Sequence, residues 1–193
     1  MTEIFERGHF SNYRITDSQL IETRVETKAF SDFCRVSNKK TIFLSHKHSD
    51  LEELKGIIGF LRRNYNVDVY IDSMDVDMPP KTSGKTAQRI KNIIQKCDRF
   101  ILLATDAAIE SKWCNWELGF GDAHKYRDKI ALFPIKEKGA YDYKGNEYMQ
   151  IYPFIAYYDG IEHYNNGNII EKGYYVCYYQ EETRKITRLI DWL

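Results

Sequence analysis

The chain has 193 residues, 43% hydrophobic and 29% charged, which suits one globular domain with a real core and excludes two large domains or a disordered chain. Its 28 Lys and Arg balance 28 Asp and Glu, so the broad field needed for sequence-independent nucleic-acid or anionic-membrane binding is absent, and a phosphate-bearing partner must be met locally. No stretch approaches the roughly 18 apolar residues of a membrane span, the opening Met1 to Arg7 is too charged for a signal peptide, and Cys34, Cys97, Cys114 and Cys177 form no CxxC pair. A cytoplasmic protein with reduced thiols is expected.

The first 38 residues hold one predicted helix, from Asp17 or Ser18 as cap to about Phe33, and are expected to form a helical extension before a domain over 39–193. From Thr41 onward, short β-branched or aromatic runs alternate with helical periodicity, the pattern of a parallel sheet wound with helices. Thr41-Ile-Phe-Leu-Ser45 carries no charge and is short enough for a strand buried on both faces. It breaks at His46-Lys-His-Ser-Asp50, where Ser49 or Asp50 would cap a helix with Leu51, Leu54, Ile57, Ile58 and Leu61 on one face.

Val67-Asp-Val-Tyr-Ile71 is the second expected strand and enters a loop from Asp72 to Gly84, far longer than such a connection needs; long loops at strand ends usually carry function. The next helix aligns Ile90, Ile93, Ile94 and Cys97, and Arg99 to Ala104 is the third strand. A loop over Thr105 to Ser111 then feeds a helix beginning near Lys112. Ile130 to Ile135 is a fourth strand with Pro134 near its end, as an edge or terminus requires.

Eleven of the fifteen tyrosines lie between Tyr141 and Tyr179. Within this segment the reading places a strand over Ile151 to Tyr158, a turn-rich excursion from Gly160 to Gly173, and a short strand from Tyr174 to Tyr179. Ile186, Leu189, Ile190 and Leu193 predict a closing amphipathic helix over Glu181 to Leu193.

In a wound sheet the ligand crevice lies beyond the carboxyl ends of the strands, here Ser45-His46, Ile71-Asp72 and Ala104-Thr105-Asp106. The helix after the third strand begins beside that rim and carries Trp113 and Glu117 four residues apart, on one face. An indole that stacks and a carboxylate that accepts from vicinal hydroxyls and offsets positive charge suit a nucleotide ribose.

At these residues a resemblance becomes specific. Thr41-Ile-Phe-Leu-Ser-His46, the long loop after Val67 to Asp72, Phe100 to Thr105, and Ser111-Lys-Trp-Cys-Asn-Trp-Glu117 resemble, in family order over about residues 40 to 135, the successive boxes of a Toll/interleukin-1 receptor (TIR) domain. The resemblance implies a flavodoxin-like α/β fold with a parallel sheet of about five strands, helices on both faces and a Tyr-rich carboxyl extension over 141–193. Ser-x-Trp-Cys-x-x-Glu is similar to the catalytic box of NAD-cleaving members. On that basis Glu117 matches the catalytic glutamate and Trp113 the active-site tryptophan, and Asp72 to Lys85 matches the loop that gates the site and mediates assembly. Ser45, His46, Asp72, Thr105, Asp106, Ser111 and Lys85 are the further expected substrate-binding residues. The implied activity is cleavage of the nicotinamide–ribose bond of NAD+, the substrate rather than a cofactor, giving ADP-ribose or a cyclic isomer. A stand-alone TIR protein resembles the bacterial signal-producing components of anti-phage systems such as Thoeris, so a homo-oligomer and a downstream effector are expected partners.

Competing readings belong to the same residues. Trp113, Trp116 and Phe120 are also what a helix packed on a sheet requires, with Glu117 solvated. A non-catalytic TIR interaction module and a nucleoside deoxyribosyltransferase-like enzyme, which shares an open sheet and a glutamate acting on a glycosidic carbon, stay open. Ser83-Gly-Lys-Thr86 imitates the end of a phosphate-binding Walker loop, but Pro79 stands where its first glycine belongs. His46 and His48 lack zinc partners at suitable spacing, and Asp68, Asp72, Asp75 and Asp77 lack the glycine and distal glutamate of a calcium loop, so no metal is expected.

Overall fold

A computed structural model describes residues 1–20, 39–74, 83–164, 166–180 and 183–193. Its strands are β1 (Phe5–Glu6), β2 (Thr41–Ser45), β3 (Asp68–Tyr70), β4 (Arg99–Ala104), β5 (Ile130–Lys136), β6 (Phe154–Tyr158), β7 (Gly173–Gln180) and β8 (Thr183–Arg188). The helices are α1 (Leu51–Tyr65), α2 (Gly84–Lys96), α3 (Asp106–Ile109), α4 (Lys112–Lys125), α5 (Asn146–Ile151) and α6 (Leu189–Trp192). One sheet runs β3-β2-β4-β5-β6-β7-β8, and β1 pairs with β5. The β3-β2-β4-β5-β6 part is parallel and is the expected five-stranded core; β7 and β8 add antiparallel strands.

Both faces of the parallel part are buried, which explains runs without polar alternation. Ile42 and Leu44 of β2 join one core with Leu54, Ile57, Ile58 and Leu61 of α1, while Phe43 joins the other with Ile90, Ile93 and Ile94 of α2 and Leu118 of α4. Because side chains alternate along a strand, Ser45 shares the face of Phe43 and looks toward α4. The Ser83-Gly-Lys-Thr86 motif has a structural use: the Ser83 hydroxyl accepts from the Thr86 amide and the Thr86 hydroxyl from the Ser83 amide, a reciprocal capping box at the start of α2.

The amino-terminal segment is built into the core. Phe5 pairs with Ile135 and Glu6 with Lys136, and Phe5, Phe10 and Ile15 are buried beside α1. Two helical glycines admit this segment. A Cβ on Gly56 would lie 2.8 Å from the Phe10 carbonyl oxygen, and one on Gly59 would lie 1.9 Å from that of Tyr13. The predicted helix from Asp17 is helical over 17–20, and its continuation to Phe33 lies outside the described residues, as does Cys34. Cys97, Cys114 and Cys177 are buried.

The structure corrects several expected elements. The carboxyl-terminal segment is not one helix: β8 occupies 183–188 and only Leu189–Trp192 is helical. Pairing with β7 decides this, since Ile186 faces Cys177 and Arg184 faces Tyr179 on one side while Thr183, Lys185 and Thr187 are exposed. Residues 146–151 are helical rather than the start of a strand, and β6 begins at Phe154. The loop over 105–111 contains α3. Asp50 occupies the cap position of α1 without bonding an amide there; its side chain is used elsewhere.

If Gly59 were an ordinary helix position, Ala would stabilise by up to about 1 kcal/mol through propensity. The contact with Tyr13 reverses the sign: Gly59→Ala is expected to destabilise by about 1–3 kcal/mol, the range for forced overpacking, measured by urea denaturation.

Candidate active site

At the carboxyl end of β2, the Ser45 hydroxyl donates a 2.5 Å hydrogen bond to Oε2 of Glu117. Glu117 projects from the second turn of α4 and is 1% exposed, beside Cys114, Leu118 and Gly121 on the buried face of that helix. The absence of a side chain at Gly121 lets the helix approach the sheet, since a Cβ there would already stand 3.1 Å from the Phe100 ring. Ser111, at 8% exposure, caps α4 by accepting from the Cys114 amide, so the helix starts where Trp113 and Glu117 must both turn toward the strand ends.

Oε1 of Glu117 is buried without a hydrogen-bond partner. Removal from water drives the pKa well above the ordinary glutamate value; the nearby Asp72 charge pushes it further, and the Ser45 hydroxyl and Trp113 indole pull it back. The site thus holds a carboxyl group with one oxygen anchored and the other free to receive a donor or a cation. An unsatisfied buried acceptor is costly and calls for a functional explanation.

His46 follows Ser45 and is buried, with Nε2 3.0 Å from the Ser73 hydroxyl and Nδ1 3.8 Å from Asp72. Burial lowers its pKa against the opposing pull of Asp72, favouring the neutral ring. Asp72 and Ser73 open the short 3₁₀ turn after β3, so the start of the long loop touches the crevice directly. Trp113 is half-buried and stacks on Trp116 with centroids 4.8 Å apart, which presents a fixed indole at the head of α4.

The expected residues do not all converge. Ser45, His46, Asp72, Trp113 and Glu117 form the cluster just described. Thr105 is buried and its hydroxyl is engaged twice, donating to Asp50 at 2.5 Å and accepting from the Ala108 amide at 3.0 Å as the cap of α3. Asp106 accepts from the Lys144 amide at 3.0 Å. Lys85 is exposed in the first turn of α2, with no described contact to Glu117. Ser111 acts on the helix start.

Two groups escaped the sequence reading. Asp50, at 1% exposure, accepts from Thr105 and, at 2.7 Å, from Arg7. Tyr143, from the tyrosine-rich segment, donates to the Ala104 carbonyl at 2.6 Å and seals the end of β4. The acidic residue before a helix reads as a cap, and tyrosine spacing carries no sign of its partner, so neither signal stands out in one dimension.

Among the described residues, no group of three or more His, Cys, Asp or Glu is placed to hold a metal ion, and no helix is long and apolar enough to cross a membrane. The cavities of about 470 and 350 Å3 formed by described residues lie by the carboxyl-terminal strands, away from Glu117. The strand-end cluster is a candidate site by its chemistry rather than by its volume.

Residues 42–163 match the model of the TIR domain. Over 187 residues the chain is 27% identical to the probable 3′ cyclic ADP-D-ribose synthase ThsB′ of Bacillus cereus (strain MSX-D12), an alignment covering 94% of this chain and 89% of that protein.

The raised pKa of Glu117 has a stability consequence. The folded protein keeps this proton above the ordinary glutamate range, so the group's favourable contribution is present at low pH and is lost as pH rises through the folded value. Glu117→Gln, which cannot ionise, is expected to melt higher than wild type at pH 8 and level with it at pH 4. Thermal melts across that range check the sign.

Proposed function

The chain belongs to the TIR-domain family, and from that premise we propose that it cleaves the nicotinamide–ribose bond of NAD+ in the crevice around Glu117, as a signal-producing enzyme of anti-phage defence. The observation that carries the site assignment is the buried carboxyl group with Oε2 fixed by Ser45 and Oε1 free. Nicotinamide in NAD+ is a cationic leaving group that departs neutral with the glycosidic electron pair. No strong general acid is needed, and positioning and charge stabilisation suffice.

Glu117 is the catalytic residue in this reading. Its carboxylate accepts from the ribose hydroxyls and offsets positive charge at the anomeric carbon, and the entering cation itself favours the ionised form. Ser45 sets the rotamer, Trp113 stacks in the pocket, and His46 and Asp72 line the rim. A ribose hydroxyl of the same molecule captures the cation and passes its proton to the carboxylate. Burial of the site disfavours water as the competing nucleophile. The expected product is therefore cyclic, the 3′ cyclic ADP-D-ribose of the relative's name. NAD+ is the substrate, and the chemistry calls for no metal or resident cofactor.

The remaining partners follow from family kinship. The protein acts in the cytoplasm as a homo-oligomer through TIR–TIR contacts, with the loop that opens at Asp72 contributing to assembly, and its product is read by a separate effector.

Purified protein at high concentration is expected to convert NAD+ to nicotinamide and a cyclic ADP-ribose isomer, resolved by chromatography and mass, with or without a chelator. Glu117→Ala is expected to lower turnover by at least about 100-fold, as loss of a transition-state stabiliser does. Equal turnover by that variant removes Glu117 from the mechanism, and base exchange on deoxynucleosides without loss of NAD+ would favour the deoxyribosyltransferase reading. Because ionised Glu117 is required, kcat/KM falls on acidification with a midpoint above the ordinary glutamate range. The midpoint for kcat lies lower, since bound cation favours the carboxylate. Ser45→Ala removes a bond to the charged form and moves the kcat/KM midpoint upward.

A further inference from the structure

We propose that Arg7, from outside the family-matched residues, is a positioning residue for the Glu117 crevice: it holds Asp50 as a buried anion, and Asp50 in turn holds Thr105 and the start of α3 at the crevice rim. The inference rests on the reading of that crevice as the NAD+ site. Arg7 follows the two residues of β1, whose parallel pairing with the end of β5 delivers it to the carboxyl rim of the sheet. There Arg7 Nη2 donates to Asp50 Oδ1 at 2.7 Å while Arg7 Nε donates to Glu137 Oε1 at 2.5 Å. The adjacent Gly8 amide reaches both oxygens of Glu53 at 3.1 Å, so the turn is pinned to the start of α1 from two sides.

The chain of contacts then runs toward the site without a break. Thr105 Oγ1 donates to Asp50 Oδ2 and accepts from the Ala108 amide, which fixes the first turn of α3. The carbonyl of Ile109, the last residue of α3, accepts from Asn115 Nδ2 at 2.8 Å, and Asn115 lies on α4 between Trp113 and Glu117. The Asp50 carboxylate is removed from water at 1% exposure, and Arg7 supplies the only ion pair to it among the described residues. Arg7 thereby acts on the geometry of α3 and α4 without touching the reacting atoms. Asp50 also adds to the field at His46, whose other charged neighbours are Asp72 and His48, with the Ser73 hydroxyl on its ring. Unpaired, Asp50 favours the imidazolium form in a crevice that receives a cation.

The test compares wild type with Arg7→Lys, Arg7→Met, the double variant Arg7→Met with Asp50→Asn, and Val67→Ala, a buried position before β3 at the opposite end of the sheet, as a destabilised control remote from the rim. Amide exchange at Ala108, which needs no turnover, reports the Thr105 cap, and steady-state kinetics at pH 6 and pH 8 report the site. Arg7→Met is expected to speed Ala108 exchange about tenfold and lower kcat/KM about tenfold, more at pH 6 than at pH 8, as small displacements of positioning elements do. Arg7→Lys keeps both within about threefold, because a cation still meets Asp50. The double variant restores most of the protection and the wild-type pH dependence, since the Asn carbonyl still accepts from Thr105 and no unpaired charge is left. Unchanged exchange in Arg7→Met overturns the proposal, as does equal loosening of Ala108 by Val67→Ala after correction for lost stability. An inactive wild type removes the NAD+ reading alone, and the exchange pattern still decides whether Arg7 holds the rim.

Discussion

A carboxyl group taken out of water at the end of a parallel sheet, with one oxygen held by the Ser45 hydroxyl and the other unpartnered, is the constraint around which the functional half of this molecule is arranged. Burial of Glu117 disfavours its charged form, while a cation or a hydroxyl donor entering the crevice relieves that cost. The group therefore interacts more strongly with charge that develops beside it than a solvated glutamate would. Several local choices serve this one placement: Ser111 starts α4, Gly121 lets the helix close on Phe100, and the pleat of β2 turns Ser45 to the face that α4 covers.

Stability and function pull in opposite directions at that point, and the surrounding structure supplies the difference. Two cores, one on each face of the sheet, bury the strands from Ile42 to Val176. On one face, α1 carries glycines at 56 and 59 so that the backbone of the first twenty residues approaches it closely. The same approach brings Arg7 to Asp50 and Glu137, linking ends of the chain remote in sequence to the strand ends that form the crevice. On the other face, the tyrosine-rich segment closes over β4 and α3: Tyr143 bonds the Ala104 carbonyl, Lys144 pairs with Glu110, and Tyr148 bonds Asn115. Both segments outside the central motifs thus brace the rim that those motifs line.

The neutral composition acquires a local meaning in this setting. A protein with 28 charges of each sign has no general attraction for a dinucleotide, and the proposed recognition rests on stacking and hydroxyl capture at one crevice. Charge is instead spent on internal pairs: Arg7 with Asp50 and Glu137, Lys144 with Glu110, Arg188 with Glu171, Arg184 with Glu3.

Much of the framework was legible in one dimension because it depends on local periodicity. The apolar runs at Thr41 to Ser45 and Arg99 to Ala104, the spacing of Leu54, Ile57, Ile58 and Leu61, and the ordered motifs ending in Glu117 lead to a wound parallel sheet, to the TIR family and to a strand-end crevice containing Ser45, His46, Asp72, Trp113 and Glu117. What local pattern does not contain is the identity of partners across the chain. Ile186, Leu189, Ile190 and Leu193 satisfy a helical period, yet β7 offers residues 183–188 a ladder of hydrogen bonds that a four-turn surface helix cannot match. Asp50 has the position of a helix cap, and only the arrival of Arg7 and Thr105 gives it a different use. Thr105 looks like a free rim hydroxyl until its two bonds are seen. The sequence by itself determined the class of fold, which follows from residue types at short spacing, and the ordered motifs that resemble the family singled out Glu117 as the candidate. The tertiary structure decided which polar groups are already engaged and how the amino-terminal and tyrosine-rich segments brace the candidate site, because hydrogen bonds and ion pairs between residues 33 to 130 positions apart leave no periodic trace.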